Sequence, residues 1–363
     1  MEENFLKDKL PKRILVTGGA GFIGGELIRQ LLKDTTSIIF NLDKIGYASD
    51  LEGINSFIIN FNIEPNRHNL LKVDLLDKEK LHQAIFESNP DYILHLAAES
   101  HVDRSINNPE KFLLNNIVGT YNLLEAALIY FQKLDQKKKK LFKLLHVSTD
   151  EVYGSLGEEG MFNEYTPYNP RSPYSATKAS SDHLVNAWHH TYGLPILITN
   201  CSNNFGPWQY PEKFIPNVIL KAINGEKIPI YGDGKNVRDW LFVKDHVRAL
   251  LAVLDSGNIG ESYCIGGNNE RNNNEVAIKI CNFLDILKPE SKPHSRLINF
   301  VRDRPGHDFR YSIDSQKIFK SLNWSPLFSF DNALKNTVDW YLKNLDWCND
   351  VKLKGNYDGS RIA

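Results

Sequence analysis

The first 200 residues alternate short apolar runs with segments whose apolar residues recur at helical spacing. Residues 14–17, 37–43, 70–75, 92–98, 142–149 and 195–202 read as strands. Residues 22–33, 77–88, 109–131 and 174–192 read as helices, with Asp77 placed as a cap and Pro109 in a first turn. The strands are apolar on both faces, as a sheet covered on both sides requires. Alternating strand and helix predicts parallel pairing through crossover helices. After about residue 200 Asn, Gly and Pro become frequent, strands are fewer, and 203–211 and 268–274 read as loops. This predicts a smaller, less regular lobe at the far end of the sheet.

A length of 363 residues suits one large or two moderate domains. With 43 Lys and Arg against 44 Asp and Glu, the chain lacks the basic excess of a nucleic-acid binder, and no such partner is expected. Cys201, Cys264, Cys281 and Cys348 form neither a CxxC pair nor a dense disulfide framework, so a reducing, cytoplasmic location is expected. Residues 1–12 have no apolar signal core, and the apolar runs are shorter than a bilayer span, so no membrane association is expected. The lysines at 137–140 read as a solvated loop or frayed helix end, and residues 349–363, without periodicity, as a surface extension or disordered tail. Trp188, Trp324 and Trp340 are expected as core aromatics, and His189 and His190 as surface or packing residues.

Candidate chemistry starts after the first strand. Gly18, Gly21 and Gly24 form a GxxGxxG turn that runs through Phe22 and Ile23 into a helix. Without side chains there, backbone N–H groups and the helix N-terminus can approach a pyrophosphate. Asp43 ends the second strand, where an acid binds the adenosine ribose hydroxyls and repels a 2′-phosphate, so NAD is the expected cofactor. Asp74, ending the third predicted strand, suits the adenine amino group or a helix start. Farther on, Tyr174 and Lys178 lie four apart on one helix face. A nearby ammonium lowers a tyrosine pKa, so Tyr174 can take a hydroxyl proton while hydride leaves the adjacent carbon, and Lys178 can also hold the nicotinamide ribose. His101 and Asp103 invite a metal reading, but no third ligand has suitable spacing and no metal is expected.

These stretches, with HLAAESHVDRS at 95–105, STDEVYG at 148–154, SPYSATK at 172–178, NCSNNFGP at 200–207, GDGKNVRDW at 232–240 and DRPGHD at 303–308, resemble the extended short-chain dehydrogenase/reductase family over residues 13–340. Within it, the resemblance is to the sugar-nucleotide 4,6-dehydratases. It implies an α/β fold: a Rossmann-like doubly wound parallel sheet with a smaller mixed α/β substrate-binding lobe. The expected division is 1–202 for the NAD-binding domain with later returns near 236–266, 203–345 mainly for the sugar-nucleotide lobe, and 346–363 for a tail.

The resemblance further implies a dTDP-sugar substrate and a three-step cycle. Tyr174 takes the C4 hydroxyl proton as hydride leaves C4, Glu151 and Asp150 remove water across C5 and C6, and the hydride returns to C6. Thr149 would hydrogen-bond the C4 oxygen. An elimination needs an acid and a base, so Asp150 must be protonated and Glu151 ionised, which requires environments that push their pKa values apart. Around the cofactor the resemblance adds Lys44, Leu75, Ala97, Ala98, Ser148 and Asn204. Around the substrate it adds Ser100, His101, Asn203, Lys213, Arg238, Asn273, Arg304 and His307. It also implies a homodimer formed through the helices at 109–131 and 174–192. Gly46 to Ser49, Phe205, Trp208 and Cys264 depart from the family's usual residues. UDP- or GDP-sugar dehydratases remain alternatives, as do sugar-nucleotide 4-epimerases, which do not need the Asp150–Glu151 pair. A non-catalytic dinucleotide-binding protein is the distant alternative.

Overall fold

The computed structural model describes residues 12–355, so the first residues and the final stretch 356–363 of the expected tail lie outside it. The chain runs β1 (Arg13–Thr17), α1 (Phe22–Asp34), β2 (Ile38–Asp43), α2 (Glu52–Asn60), β3 (His68–Lys72), α3 (Lys78–Ser88), β4 (Tyr92–His95), α4 (Val102–Asn107), α5 (Pro109–Phe112), α6 (Gly119–Lys133), α7 (Gln136–Leu141), β5 (Lys143–Thr149), α8 (Pro173–Tyr192) and β6 (Ile196–Cys201). It continues through β7 (Asn203–Phe205), α9 (Phe214–Ile223), β8 (Ile228–Tyr231), β9 (Val237–Phe242), α10 (Val243–Ser256), β10 (Ser262–Ile265), β11 (Glu270–Asn272), α11 (Asn273–Leu287), β12 (Ile298–Val301), α12 (Gln316–Leu322), α13 (Phe330–Lys343) and α14 (Leu345–Lys354).

Seven strands form one parallel sheet in the order β10-β6-β5-β4-β1-β2-β3. Successive strand residues face opposite sides, and both sides are apolar. Ile14 and Val16 of β1 pack with α1, α10 and Trp324, whereas Leu15 between them packs with α3 and α6. Leu145 and Leu144 of β5 divide in the same way. The strand order reverses between β1 and β4, which opens a crevice at their carboxyl ends. The smaller lobe caps that crevice. It contains the sheet β11-β9-β7, the parallel pair β8–β12, and a core shared by α9, α11 and α13. Of residues 236–266, β10 joins the large sheet and α10 packs on it, whereas β9 pairs within the small lobe.

Several boundaries differ from expectation. β3 ends at Lys72 and β4 at His95, so Asp74 and Ala97 lie in the loops that follow. The stretches 203–211 and 268–274 contain β7 and β11, each only three residues long and too short for a period to show. The four lysines lie in α7, which Asp135 caps by accepting from the Lys138 amide. The expected tail is helical through Lys354, with Cys348 and Val351 buried. The run Pro109–Lys133 is long and apolar enough by composition to cross a membrane, contrary to expectation. It is a core helix with a π turn over Leu113–Val118, and it packs against α3 and α8. Trp324 is fully buried, whereas Trp188 and Trp340 sit half-buried in aromatic clusters with Tyr121 and with Trp208 and Trp347.

Candidate active site

The long cleft begins at the glycine turn. Gly18 has φ +71°, and a Cβ there would lie 2.7 Å from the Ala97 backbone. A Cβ on Gly24 would lie 2.3 Å from the Gly18 carbonyl, so the first turn of α1 sits against the end of β1 only because it is bare. Gly21, the N-cap of α1, has only that carbonyl near its missing Cβ and otherwise opens to the cleft. Asp43 is held by three donors: the Ala20 amide at 3.1 Å, the Ile45 amide at 2.8 Å and the Ser49 hydroxyl at 2.9 Å. Lys44 bridges to Glu99 at 3.3 Å, tying the β2 loop to the β4 loop.

The cavity of about 350 Å³ runs from Asp43 past Asp74, Leu75, Ala97 and Ala98 to Ser148, Tyr174, Lys178 and Asn204. A bare glycine cradle at one end, a preset carboxylate beside it and a Tyr–Lys pair at the other end fit a dinucleotide. Gly18→Ala adds a methyl group against backbone in a left-handed conformation. We expect it to cost about 1–3 kcal/mol and to strip bound dinucleotide. Calorimetry and chromatography of released nucleotide would measure both; unchanged occupancy would refute the cradle.

The reacting end is built by β5 and α8. The turn Asp150–Tyr153 follows β5 directly, and the Thr149 hydroxyl accepts from the Glu151 amide at 3.3 Å. The same hydroxyl donates to Asp150 Oδ1 at 3.2 Å, while Asp150 Oδ2 is buried without a partner. Burial first, then the Glu151 charge, pushes the Asp150 carboxyl well above its usual range. Burial also raises Glu151, but Arg304, Arg238 and Lys213 oppose it. Tyr174 enters α8 one residue after Pro173, where Ser172 and Ser175 form a capping box.

The expected acidification of Tyr174 by Lys178 is not found in this state. Burial, followed by Glu151, pushes the phenol well above its ordinary value; the neighbouring Thr149 hydroxyl opposes this. The Lys178 ammonium instead donates to the Val147 carbonyl at 3.0 Å. Desolvation of the phenolate outweighs the charge four residues away.

A second cavity of about 170 Å³ adjoins the first and shares Ser100, Glu151, Asn203, Asn204 and Lys213 with it. His101, Arg238, Asn273, Arg304 and His307 complete its expected lining. Lys213 donates to the Ser100 carbonyl at 2.9 Å, and Arg304 pairs with Asp103 at 3.2 Å. Arg304 Nε and Asn203 Oδ1 are buried without partners. Arg238 stacks on Tyr311 at 4.3 Å and donates to the Val237 and Asp308 carbonyls. His307 bonds Asp303, and burial with the neighbouring arginines lowers it to about 4.

The structure thus brings every expected site residue to one of the two cavities except Asp150, which lies behind them. Sequence reasoning missed Tyr311, Gln209 and Glu212. Glu212 accepts from Tyr47 at 2.9 Å and from Arg104 at 3.1 Å, joining loops remote in sequence. Its signal was its place beside Lys213 in the Pro-Glu-Lys stretch. Asp103 is the partner of Arg304 and of the Tyr231 hydroxyl. Among the described residues no group of three His, Cys, Asp or Glu side chains is arranged to hold a metal. Of the departures, only Gly46 to Ser49 line a cavity; Phe205 and Cys264 are core residues, and Trp208 packs against other tryptophans.

The chain is similar to known proteins. The profile of the family described as GDP-mannose 4,6 dehydratase matches residues 15–337. A dTDP-glucose 4,6-dehydratase of Neisseria meningitidis serogroup B is 50% identical, over 97% of this chain and 99% of the relative. The chain belongs to the dTDP-glucose 4,6-dehydratase family. Two members of this family with solved structures superpose closely. That of Bacillus anthracis str. Ames, in complex with NAD, has a TM-score of 0.80 at 43% identity and covers 93% of this chain and 99% of its own. That of Streptomyces venezuelae, also with NAD bound, has a TM-score of 0.83 at 39% identity, with the same coverage. The dehydratase family fold is therefore the Rossmann-like sheet described above.

Proposed function

We infer that this chain is an NAD-dependent lyase that converts dTDP-glucose to dTDP-4-keto-6-deoxyglucose. The observation that carries the reading is the pair of adjacent carboxyls after β5. Asp150 is sealed and pushed well above its usual range by burial, and Glu151 faces both cavities beside three cations. An elimination requires such an acid and such a base, whereas epimerisation at C4 requires neither.

NAD, when bound in the long cavity, takes a hydride from C4 of the sugar and returns it to C6. Tyr174 removes the C4 hydroxyl proton, and Thr149 hydrogen-bonds the same oxygen. The Lys178 ammonium offsets the charge of the Tyr174 phenolate that receives this proton. The C4 ketone acidifies the C5 proton, which Glu151 removes while Asp150 protonates the departing C6 hydroxyl; as the hydride reaches C6, Glu151 or its equivalent returns a proton to C5. Asp150 lines neither cavity, so this role requires its carboxyl to turn toward the sugar. Lys213, Arg238 and Arg304 neutralise the diphosphate, for which guanidinium forks are suited.

Incubating the purified protein with dTDP-glucose, and separately with UDP-glucose and GDP-mannose, tests the reading by mass spectrometry. Loss of water from the dTDP-sugar alone is expected. Loss from another sugar instead would overturn the thymidine assignment, and no loss from any would overturn the roles of Asp150 and Glu151.

The homodimer is part of the same proposal. Leu113, Leu114, Val118 and Ile129 leave 37–48% of their surface exposed on the run Pro109–Lys133, an apolar stripe suited to a second copy. Four free, buried cysteines support a reducing compartment, the cytoplasm.

A further inference from the structure

We propose that Asp182 is a positioning residue of this reaction: from one helical turn beyond Lys178 it keeps the Lys178 ammonium charged and fixed beneath Tyr174. Tyr174, Lys178 and Asp182 follow one another at four-residue spacing, so they share one face of α8. Asp182 is fully buried and accepts from four side chains. His146 Nε2 lies 3.1 Å from Oδ1; the Ser148 hydroxyl at 2.7 Å, the Tyr168 hydroxyl at 2.9 Å and Asn200 Nδ2 at 3.2 Å reach Oδ2. These donors come from β5, β6 and the loop before α8. A dry carboxylate stays ionised only when its oxygens are satisfied in this way, and here they hold it below its usual range despite burial.

Lys178 is buried too, and burial pulls its ammonium downward. The group that first opposes this is Asp182. The other titratable neighbours carry no charge to help. His146 of β5 lies 3.4 Å from the ammonium and is lowered to about 4, so it is neutral. Burial also lowers His95 of β4, whose ring lies 5.1 Å from that of His146, well below its usual value. Burial pushes the Cys201 thiol of β6, the Tyr174 phenol, and the Tyr153 and Tyr168 phenols near Asp182 upward, which keeps them protonated. Asp182 is left as the nearby anion, joined to Lys178 through His146 Nε2, which lies 3.4 Å from the ammonium and 3.1 Å from Asp182 Oδ1. His146 Nδ1 has no partner, consistent with Nε2 carrying its proton toward Asp182.

The inference rests on the reading that Tyr174 and Lys178 carry the first proton transfer. With Asp182 charged, Lys178 keeps its proton to alkaline pH. Without that charge it loses the proton at lower pH, and the alkaline limb of the rate moves down with it. For Asp182→Asn in the full-length enzyme, water loss from dTDP-glucose followed across pH should show that limb lowered by about one to three pH units. Tyr168→Phe removes one hydrogen bond but keeps the carboxylate, so it should lower thermal stability and leave the limb in place. A merely structural Asp182 would lower rate and stability together with no movement of the limb, and that result overturns the proposal.

A measurement on the unaltered protein does not depend on how the variant folds. The 13Cε resonance of Lys178, assigned by its loss in Lys178→Arg, should show an ammonium that persists above about pH 8; a midpoint below that overturns the proposal. Lys178→Ala separates the two readings. If it dehydrates normally, the Tyr174–Lys178 reading falls and this inference with it. If it is inactive while Asp182→Asn keeps the original alkaline limb, only the role of Asp182 falls.

Discussion

Glu151→Gln is expected to lower dehydration of dTDP-glucose by about 10²–10⁴-fold, the usual contribution of a positioned acid or base. The substitution conserves shape and removes the base alone. Glu151 is half-buried where the two cavities meet, and its ionised form is favoured by the charges of Arg304, Arg238 and Lys213. Those cations also face the second cavity, so the neutral variant should still bind the nucleotide. It should be as thermally stable as the parent or more so, because an amide escapes the desolvation that the carboxylate suffers. The selective readout is the C5 proton. In deuterated water the parent should exchange it during turnover, and Glu151→Gln should not. Exchange at the parental rate in the variant would assign the base to another group.

Tyr174→Phe carries the second large effect. The ring packs edge-on against Phe112, and phenylalanine preserves that contact. The loss is confined to a hydroxyl that lies near Thr149 and Glu151. We expect kcat to fall about 10²–10⁴-fold with the Kd for dTDP-glucose nearly unchanged, since the diphosphate is held by other residues. Turnover assays and calorimetry measure the two quantities. A weakened Kd with near-normal kcat would make Tyr174 a binding residue. Burial pushes the resting phenol upward, so Tyr174 must give up its own proton before it can take the one from the C4 hydroxyl. Lys178, one turn below, is the cation placed to compensate.

The two results would separate the halves of the cycle. Tyr174→Phe should block both C5 exchange and water loss, because the ketone that acidifies C5 never forms. Glu151→Gln should block exchange after that ketone has formed.

The large sheet was legible in the chain because each strand carries its own evidence. Ile14, Leu15 and Val16 are apolar in succession, which only a doubly covered strand explains. The glycine turn and Asp43 were equally local: a bare turn and an acid at the next strand end have few alternative uses. The long helix at 109–133 was legible as a helix, but its place inside the protein was not, since a core helix and a membrane span share a composition. β7 and β11 could not be read, because three residues show no period and their pairing with β9 comes from distant chain.

The sequence by itself determined which chemical groups stand at the strand ends and on one face of the tyrosine helix: two carboxyls, a phenol, an amine and a third carboxyl at fixed spacing. Their states were decided by tertiary structure. Burial pushes Asp150 well above its usual range, three cations from the other lobe oppose the same effect on Glu151, and the Val147 carbonyl accepts from Lys178. Spacing along a chain specifies what can meet. Desolvation and the charges that remote segments bring decide which of those groups hold a proton.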